Sequence, residues 1–536
     1  MNFLEGFTAK KPLVWLFLLL ITVLAYSPVL RGDYVFDDDI FIVNNQYVHD
    51  LNHVKQIYTH STTDGAGVGE GNFYRPNQSL CHAIIYSLVG NGPSAQHVFS
   101  VLVHALNACL LFTFLALLGF TGIPALVAAL IFAIHPIQTE AVAYISGLSD
   151  PLSMMFILIT CICFVLYQKE SRIYWAIFSI VSLVLALFSK ESSIMTIGVL
   201  ILLALYLNAS IKKFSNATKY FLGIAFILCI GYLYLKFTTF NFTGNIALTS
   251  ADNEYTQSIW VRFVTFCTVF PRYIGMLIFP IDQYIEKPYL AYVSLEALGL
   301  GGLMLLGALG YIFYTSYKST KVWMLAVGIF LLFLLPVSGI IPTNAIYLEH
   351  WLYLPFLGVA IAIAQGVKSI EKIKYKSMIL GLIALISVAY ISKTAFRSYQ
   401  WADAIRFYKN EIHYNRKSAR IYNNLAMVLN SKKEYQSAAN YYIQAISIYD
   451  VYPQTHHNLA QTYIALNQVS NAIVEEYKAL QMDPGFIYSL KGLFDIYTTL
   501  KDTKRAVAFE GYIQQVQQGQ QPSWNEIKDN LHADKP

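Results

Sequence analysis

The sequence predicts an all-α fold in two parts: a polytopic membrane helical bundle of about 11 transmembrane helices, then a stack of helical hairpins. Three observations predict it. Of 536 residues, 56% are apolar and only 13% charged, a balance that soluble domains do not reach. Apolar runs approaching the roughly 20 residues a bilayer requires recur as far as about residue 394. Beyond about residue 395 they stop, and polar helical sequence repeats every 34 residues, the tetratricopeptide spacing. The expected boundaries are 1–395 for the membrane part, 396–515 for the repeats and 516–536 for a polar tail that frays.

The apolar runs fall at 13–30, 97–119, 122–134, 152–167, 174–188, 193–207, 219–236, 291–316, 321–338, 351–367 and 376–394. The first follows Lys10 and Lys11, is about 18 residues long and lacks a small-x-small cleavage site, so it reads as a retained helix instead of a signal peptide. Segment 259–280 carries Arg262, Arg272, Pro271 and Pro280 and is read as an interfacial or re-entrant helix that does not cross. Basic residues then fall in alternate connections: Lys10 and Lys11; Lys169 and Arg172; Lys212, Lys213 and Lys219; Lys318 and Lys321; Lys368, Lys372, Lys374 and Lys376. These mark the cytoplasmic side. An odd count with the N-terminus inside puts 31–96, 135–150, 189–192, 237–290, 339–350 and the C-terminus outside.

In the repeats, Asn424-Leu425-Ala426 recurs as Asn458-Leu459-Ala460 and then as Gly492-Leu493, and Ala438 recurs as Ala472 and Ala506. Small residues there allow close helix packing, with Tyr435, Tyr442, Tyr463 and Tyr497 as larger knobs, and Trp401 to Tyr414 reads as a partial capping repeat. The array serves either as a concave peptide-binding surface, with Asn424 and Asn458 holding an extended backbone, or as a rigid spacer.

Net charge is +5 and spread over many loops, with no basic aromatic patch, so no nucleic-acid partner is expected. The six cysteines lie mostly in apolar runs without ligand spacing, which suits packing and not zinc. No glycine-rich phosphate loop, G-x-S-x-G or H-E-x-x-H is present. The polar segments that stand out are all on the predicted external face. Asp37, Asp38 and Asp39 follow the first helix, and because aspartates are costly within the bilayer they belong at an interface or in a wet cavity. Arg75 lies in the same long loop and can pair with a carboxylate or hold a phosphate. His97 and His104 share a helix face. His135 and Glu140 sit in His135-Pro136-Ile137-Gln138-Thr139-Glu140, Lys190 and Glu191 in one turn as a possible internal ion pair, and Glu349 and His350 before Trp351 and Tyr353, two residues suited to an aromatic belt. The sequons at Asn77, Asn208, Asn216 and Asn241 do not decide the compartment. A transporter and a non-catalytic scaffold displaying the repeats are the rival functions; neither two symmetric halves nor helices broken at mid-bilayer are evident for the first, and the second leaves the external acids without a use.

The order of these segments carries a resemblance. Phe36-Asp37-Asp38, Asn44-Asn45, Tyr74-Arg75-Pro76, His104, His135-Pro136 to Thr139-Glu140-Ala141, Ser189-Lys190-Glu191, His350-Trp351-Leu352-Tyr353-Leu354-Pro355 and the trailing repeats resemble the transmembrane and tetratricopeptide-repeat-containing O-mannosyltransferases and their prokaryotic relatives, of the GT-C glycosyltransferase type. The resemblance implies an enzyme that moves a sugar, with inversion, from a polyprenyl-phosphate donor to Ser or Thr hydroxyls of an external protein acceptor. It implies Asp37 as base, with Asp38 beside it. The phosphate would be held by Arg75 and Lys190, with Arg272 as a third cation, while His104, His135, Glu140, Glu191, Glu349 and His350 would line the sugar or acceptor cavity. No cofactor is required for this chemistry, although Asp37, Asp38 and Asp39 could together hold a divalent ion. A bacterial plasma membrane with external repeats is the preferred setting, an endoplasmic reticulum membrane the alternative.

Overall fold

A computed structural model describes residues 11–67, 73–208, 210–239, 254–343, 345–370 and 373–532. Lys10, Lys372 and the sequon at Asn241 lie outside them. The described residues form helices and connections with no strand, divided into a unit ending at Asp403 and a second beginning at Ala404. The boundary falls later than residue 395 because the last membrane helix, Lys376–Trp401, runs unbroken past the end of its apolar stretch.

Among the described residues of the first unit, eight helices have the length and composition to cross a membrane, and a bent pair, Ile123–Ile134 with Pro136–Ala143, makes up to nine. Ile173–Leu187, Val322–Val337 and Phe356–Ile370 are shorter apolar helices, and they account for the remaining predicted spans. Proline opens Pro76–Val89, Pro93–Leu117 and Ile123–Ile134 within the first turn, where its missing N–H and fixed φ are harmless. The bundle is held inside by polar as well as apolar contacts. His104 Nε2 donates to the Ala133 carbonyl (3.1 Å), and Nδ1 accepts from the Tyr353 hydroxyl (2.7 Å), which in turn accepts from Asn107 (3.1 Å). Tyr353 is therefore a fully buried crosslink and not a member of an aromatic belt.

The two ends of the bundle differ in chemistry. At one end Lys169 donates to the Leu117 carbonyl (2.6 Å), Lys321 to Leu205 (3.3 Å) and Lys368 to Gly119 (3.3 Å), so three of the predicted cytoplasmic connections meet there. At the other end are Asp38, Glu140, Lys190 and Glu349. The Ile259–Ile278 helix is long and apolar enough to cross, yet both its ends lie at this second end. Arg262, in its first turn, donates to the Gly339 carbonyl (2.6 Å), while its last residues accept from His135 (Leu277 carbonyl, 3.0 Å) and Tyr390 (Ile278 carbonyl, 3.0 Å). This is the arrangement expected of a helix lying along one face. Gly302 makes its close packing possible, since a Cβ there would meet the Cys267 carbonyl oxygen at 1.8 Å.

The second unit is three helical hairpins: Ala419–Ser431 with Tyr435–Ile448, Pro453–Ala465 with Val469–Met482, and Ile487–Thr499 with Thr503–Gln517, preceded by Ala404–Tyr414. Leu425, Leu459 and Leu493, and Ala438, Ala472 and Ala506, are buried in register. The backbone repeats as well: Lys433, Asn467 and Lys501, 34 residues apart, each take the left-handed conformation between the helices of a hairpin (φ 65°, 60° and 59°). The third repeat carries Gly492 where the others carry Asn, because a Cβ at 492 would meet Glu476 Oε1 at 2.4 Å. The tail does not fray as expected; Trp524–His532 is a helix, and Ile527 is fully buried beside Tyr477 and Leu480.

Candidate active site

The aspartate loop is built on a strained turn. Phe36 adopts φ 57°, a conformation costing roughly 1–2 kcal/mol for a residue with a side chain, and the Asp38 N–H closes the turn on the Val35 carbonyl (3.2 Å). Asp38 is fully buried. Its carboxylate accepts from the Val35 N–H (3.0 Å), the Ser146 N–H (2.9 Å) and the Ser146 hydroxyl (2.5 Å). Burial pushes it up to about 7, against the pull of these three donors. Asp37, next to it, is half-buried, with the Tyr144 phenol in its electrostatic neighbourhood. Asp39 is exposed. The three carboxylates thus face three environments instead of gathering round one ion, and among the described residues no group of three or more acids, histidines or cysteines could hold a metal.

A second group surrounds Arg75 and Lys190. Arg75 Nε lies 3.2 Å from Glu191 and its Nη1 donates to Ser149 (3.2 Å). Lys236 reaches the same Glu191 at 3.3 Å, so two cations share one half-buried carboxylate and leave an excess of positive charge. Lys190 is not paired with Glu191. Its ammonium donates to both Asp150 oxygens at 2.6 Å, and burial lowers its pKa against Asp150's stabilisation.

A third group joins Glu140 to the segment before Phe356. Glu140 is buried and accepts from His350 Nδ1 (2.6 Å) and from the Glu349 (2.9 Å) and His350 (3.3 Å) N–H groups. Glu349, also buried, accepts from Gln283 (3.1 Å) and the Tyr284 N–H (2.9 Å) and lies 3.5 Å from Lys287; burial raises it in spite of that cation. Arg272 belongs to this neighbourhood, and not to the Arg75 group, through the Tyr347 (3.1 Å) and Tyr292 (3.5 Å) hydroxyls. His135 is buried with Nδ1 accepting from Ile137 (3.2 Å) and Nε2 on Leu277. Like His104, it is a crosslink with both ring nitrogens occupied. Asn424 and Asn458 are half-buried on the first helices of their hairpins.

Sequence reasoning passed over Ser146, Tyr144, Asp150, Lys236 and Lys287. Only Asp150 carried a signal, as an acid immediately before a proline at the start of a long apolar helix. It also passed over Gln138, which is fully buried with neither amide atom bonded, an arrangement costly for a protein group unless something else takes it up.

Known proteins resemble this chain in sequence. A family model described as dolichyl-phosphate-mannose-protein mannosyltransferase matches residues 76–234, and a tetratricopeptide-repeat model matches 419–451. The chain is 24% identical over 519 residues to the protein O-mannosyl-transferase TMTC3 of Mus musculus, covering 88% of this chain and 55% of that one. It is 27% identical over 453 residues to the protein O-mannosyl-transferase F38B6.6 of Caenorhabditis elegans, covering 82% and 63%. Over most of its length the chain is thus similar to TMTC proteins. It is a multi-pass membrane protein, and it spans about half the length of the curated mammalian TMTC3 relatives it matches. The mannosyltransferase match contains His104, His135, Glu140, Lys190 and Glu191 but begins after Asp37 and Arg75. Among solved structures, ArnT from Cupriavidus metallidurans bound to undecaprenyl phosphate aligns over 91% of this chain and 81% of that one, at 11% identity and a TM-score of 0.38.

Proposed function

We propose that the chain transfers mannose from a polyprenyl-phosphate donor to Ser or Thr hydroxyls of a protein, at the non-cytosolic face of its membrane, as a glycosyltransferase of the GT-C type. What supports the reading is that one connection serves both a carboxylate pair and a cationic group: Ser146 bonds Asp38, beside Asp37, and three residues on Ser149 accepts from Arg75. Asp37 is the general base. It takes the hydroxyl proton as the acceptor oxygen forms its bond to the anomeric carbon, and the bond from that carbon to the phosphate oxygen breaks with its electron pair going to the lipid phosphate. Arg75 and Lys236 receive that charge, Arg75 as a planar fork that suits phosphate. Lys190 supports them through Asp150, and Arg272 serves the approach from the Tyr347 side. Because cations hold the leaving group, the step needs no metal ion. Glu140, His350, Glu349 and Gln138 line the sugar or acceptor side, and Asn424 and Asn458 hold acceptor backbone on the repeats. The named relatives, which are O-mannosyl-transferases, support mannose and a protein acceptor.

The test is transfer in proteoliposomes containing the purified protein, labelled polyprenyl-phosphate mannose and a Ser/Thr-rich peptide. Label on the peptide is the expected result. Label that enters the lumen still attached to lipid, with none on peptide, would replace this reading with transport.

A further inference from the structure

The base assigned above does not stand alone. Tyr144 lies in the connection between the bent Ile123–Ala143 pair and the Ser149–Glu170 helix and is buried to 8% exposure. Its phenol lies within electrostatic range of the Asp37 carboxylate, and Ser146, two residues on, is the residue that holds Asp38. One face of the Tyr144 ring stacks on Trp401, with centroids 5.4 Å apart and planes 27° from parallel, while Phe36 meets it edge-on at 6.1 Å. Trp401 is fully buried and ends the last membrane helix, with the Arg397 guanidinium 5.5 Å from its own ring. The next residue, Ala402, accepts from the Asp33 N–H at 3.1 Å, and the fit at Gly32 is tight, since a Cβ there would lie 3.0 Å from Ala402 Cα, His97 Nε2 and the Val29 carbonyl oxygen. The end of the last membrane helix and the aspartate loop therefore form one packed assembly, although nearly the whole membrane part of the chain separates them in sequence.

We propose that Tyr144 is the positioning residue for Asp37, donating its phenolic hydrogen to the carboxylate so that it faces the acceptor hydroxyl, and that Trp401 sets the place of Tyr144. This rests on the transferase reading. A carboxylate on a loop has two rotatable bonds to orient, and a base must be within about 3 Å of the proton it takes. A phenol fixed between two rings and a second carboxylate's anchor supplies that orientation from a rigid element.

Tyr144→Phe removes the hydroxyl but keeps the ring and its stacking, so the fold is retained. In the proteoliposome assay it should lower kcat by about 10- to 100-fold and leave the donor KM within about twofold, because Arg75 and Lys236 are untouched. Trp401→Phe, which preserves stacking, should keep most activity, whereas Trp401→Leu should reproduce the kcat loss with the thermal midpoint in detergent measured alongside. Wild-type kcat in Tyr144→Phe would overturn the inference. So would a loss in Trp401→Leu matched by an equal loss in Trp401→Phe, or a raised KM with kcat intact. Absence of transfer by the wild type itself would instead sink the transferase reading, and the two failures are distinct.

Discussion

Replacing Lys190 with Met should destabilise the membrane unit more than any other single cation removed from this end. The ammonium sits between both oxygens of Asp150 at 2.6 Å, with side-chain exposures of 10% and 3%. At an effective dielectric of about 20 a pair at this spacing attracts by roughly 6 kcal/mol, much of which is spent on desolvating the two groups. Removing one partner leaves the other charge buried, which costs about 3–5 kcal/mol. Removing both, in Lys190→Met with Asp150→Leu, restores an uncharged contact and should recover most of that loss. The assay is thermal or denaturant unfolding in detergent of the wild type, both single variants and the double variant, read as a double-mutant cycle. Strong coupling, with the double variant close to wild type, is the expected outcome. If the singles match wild type, or the double falls by the sum of the singles, then Lys190 is not a structural cation and belongs with Arg75 on the donor phosphate.

Asp38 gives a pH dependence of definite sign. Its folded value of about 7 lies above the ordinary 3.8, so its protonated form favours folding, and stability contributed at low pH is lost as pH rises from about 4 through 7. At 1.36 kcal/mol per pH unit the loss is on the order of 4 kcal/mol, and Asp38→Asn should flatten this part of the unfolding profile. In the repeats, His456 is buried between Glu475 (2.6 Å) and Asp450 (2.8 Å), and the hydrogen bonds to these carboxylates raise its pKa although burial lowers it. Its stabilisation is complete below about 6.5 and is lost as pH rises through the raised value, so hydrogen exchange of amides 453–482 should quicken on alkaline titration and lose that dependence in His456→Leu. Gly492→Asn, which would make the third repeat match the other two, should cost about 1–3 kcal/mol of repeat stability, because the Glu476 carboxylate fills that space at 2.4 Å; unchanged unfolding would show that the carboxylate can move aside.

The two-part helical fold was legible because its signals are periodic and local. Apolar runs name spans, and the 34-residue spacing names hairpins, whose left-handed residues at 433, 467 and 501 follow the same count. The arginines and prolines of 259–280 set it apart from the spans in the sequence, and in the structure both ends of the Ile259–Ile278 helix bond residues of the same end of the bundle, although its length and composition would let it cross. The grouping of acids and cations at one end followed from topology, since short loops at alternate turns must share a side. Their partners did not follow. Lys190 lies beside Glu191 in sequence yet pairs with Asp150, because adjacent residues in a tight turn point apart while the start of a neighbouring helix lies opposite. Glu191 instead joins Arg75 and Lys236 across more than a hundred and across forty-five residues of chain respectively. His104 and His135 looked like site histidines because intramembrane histidines are expensive, but the expense is met by hydrogen bonds within the bundle. Tyr144 left no trace in the sequence, and Trp401 read as the opening of the capping repeat although it ends the last membrane helix; a buried aromatic reads the same whether it packs against lipid-facing helices or against a functional carboxylate.

The base assignment is tested most directly by single-turnover transfer with Asp37→Asn, which keeps the shape of the side chain and removes its basicity. A fall of roughly 10²- to 10⁴-fold, with donor affinity and thermal midpoint held at wild-type values, is the predicted result. Transfer within about threefold of wild type would mean that another group accepts the proton, and the chemistry assigned to this end of the bundle would have to be rebuilt around it.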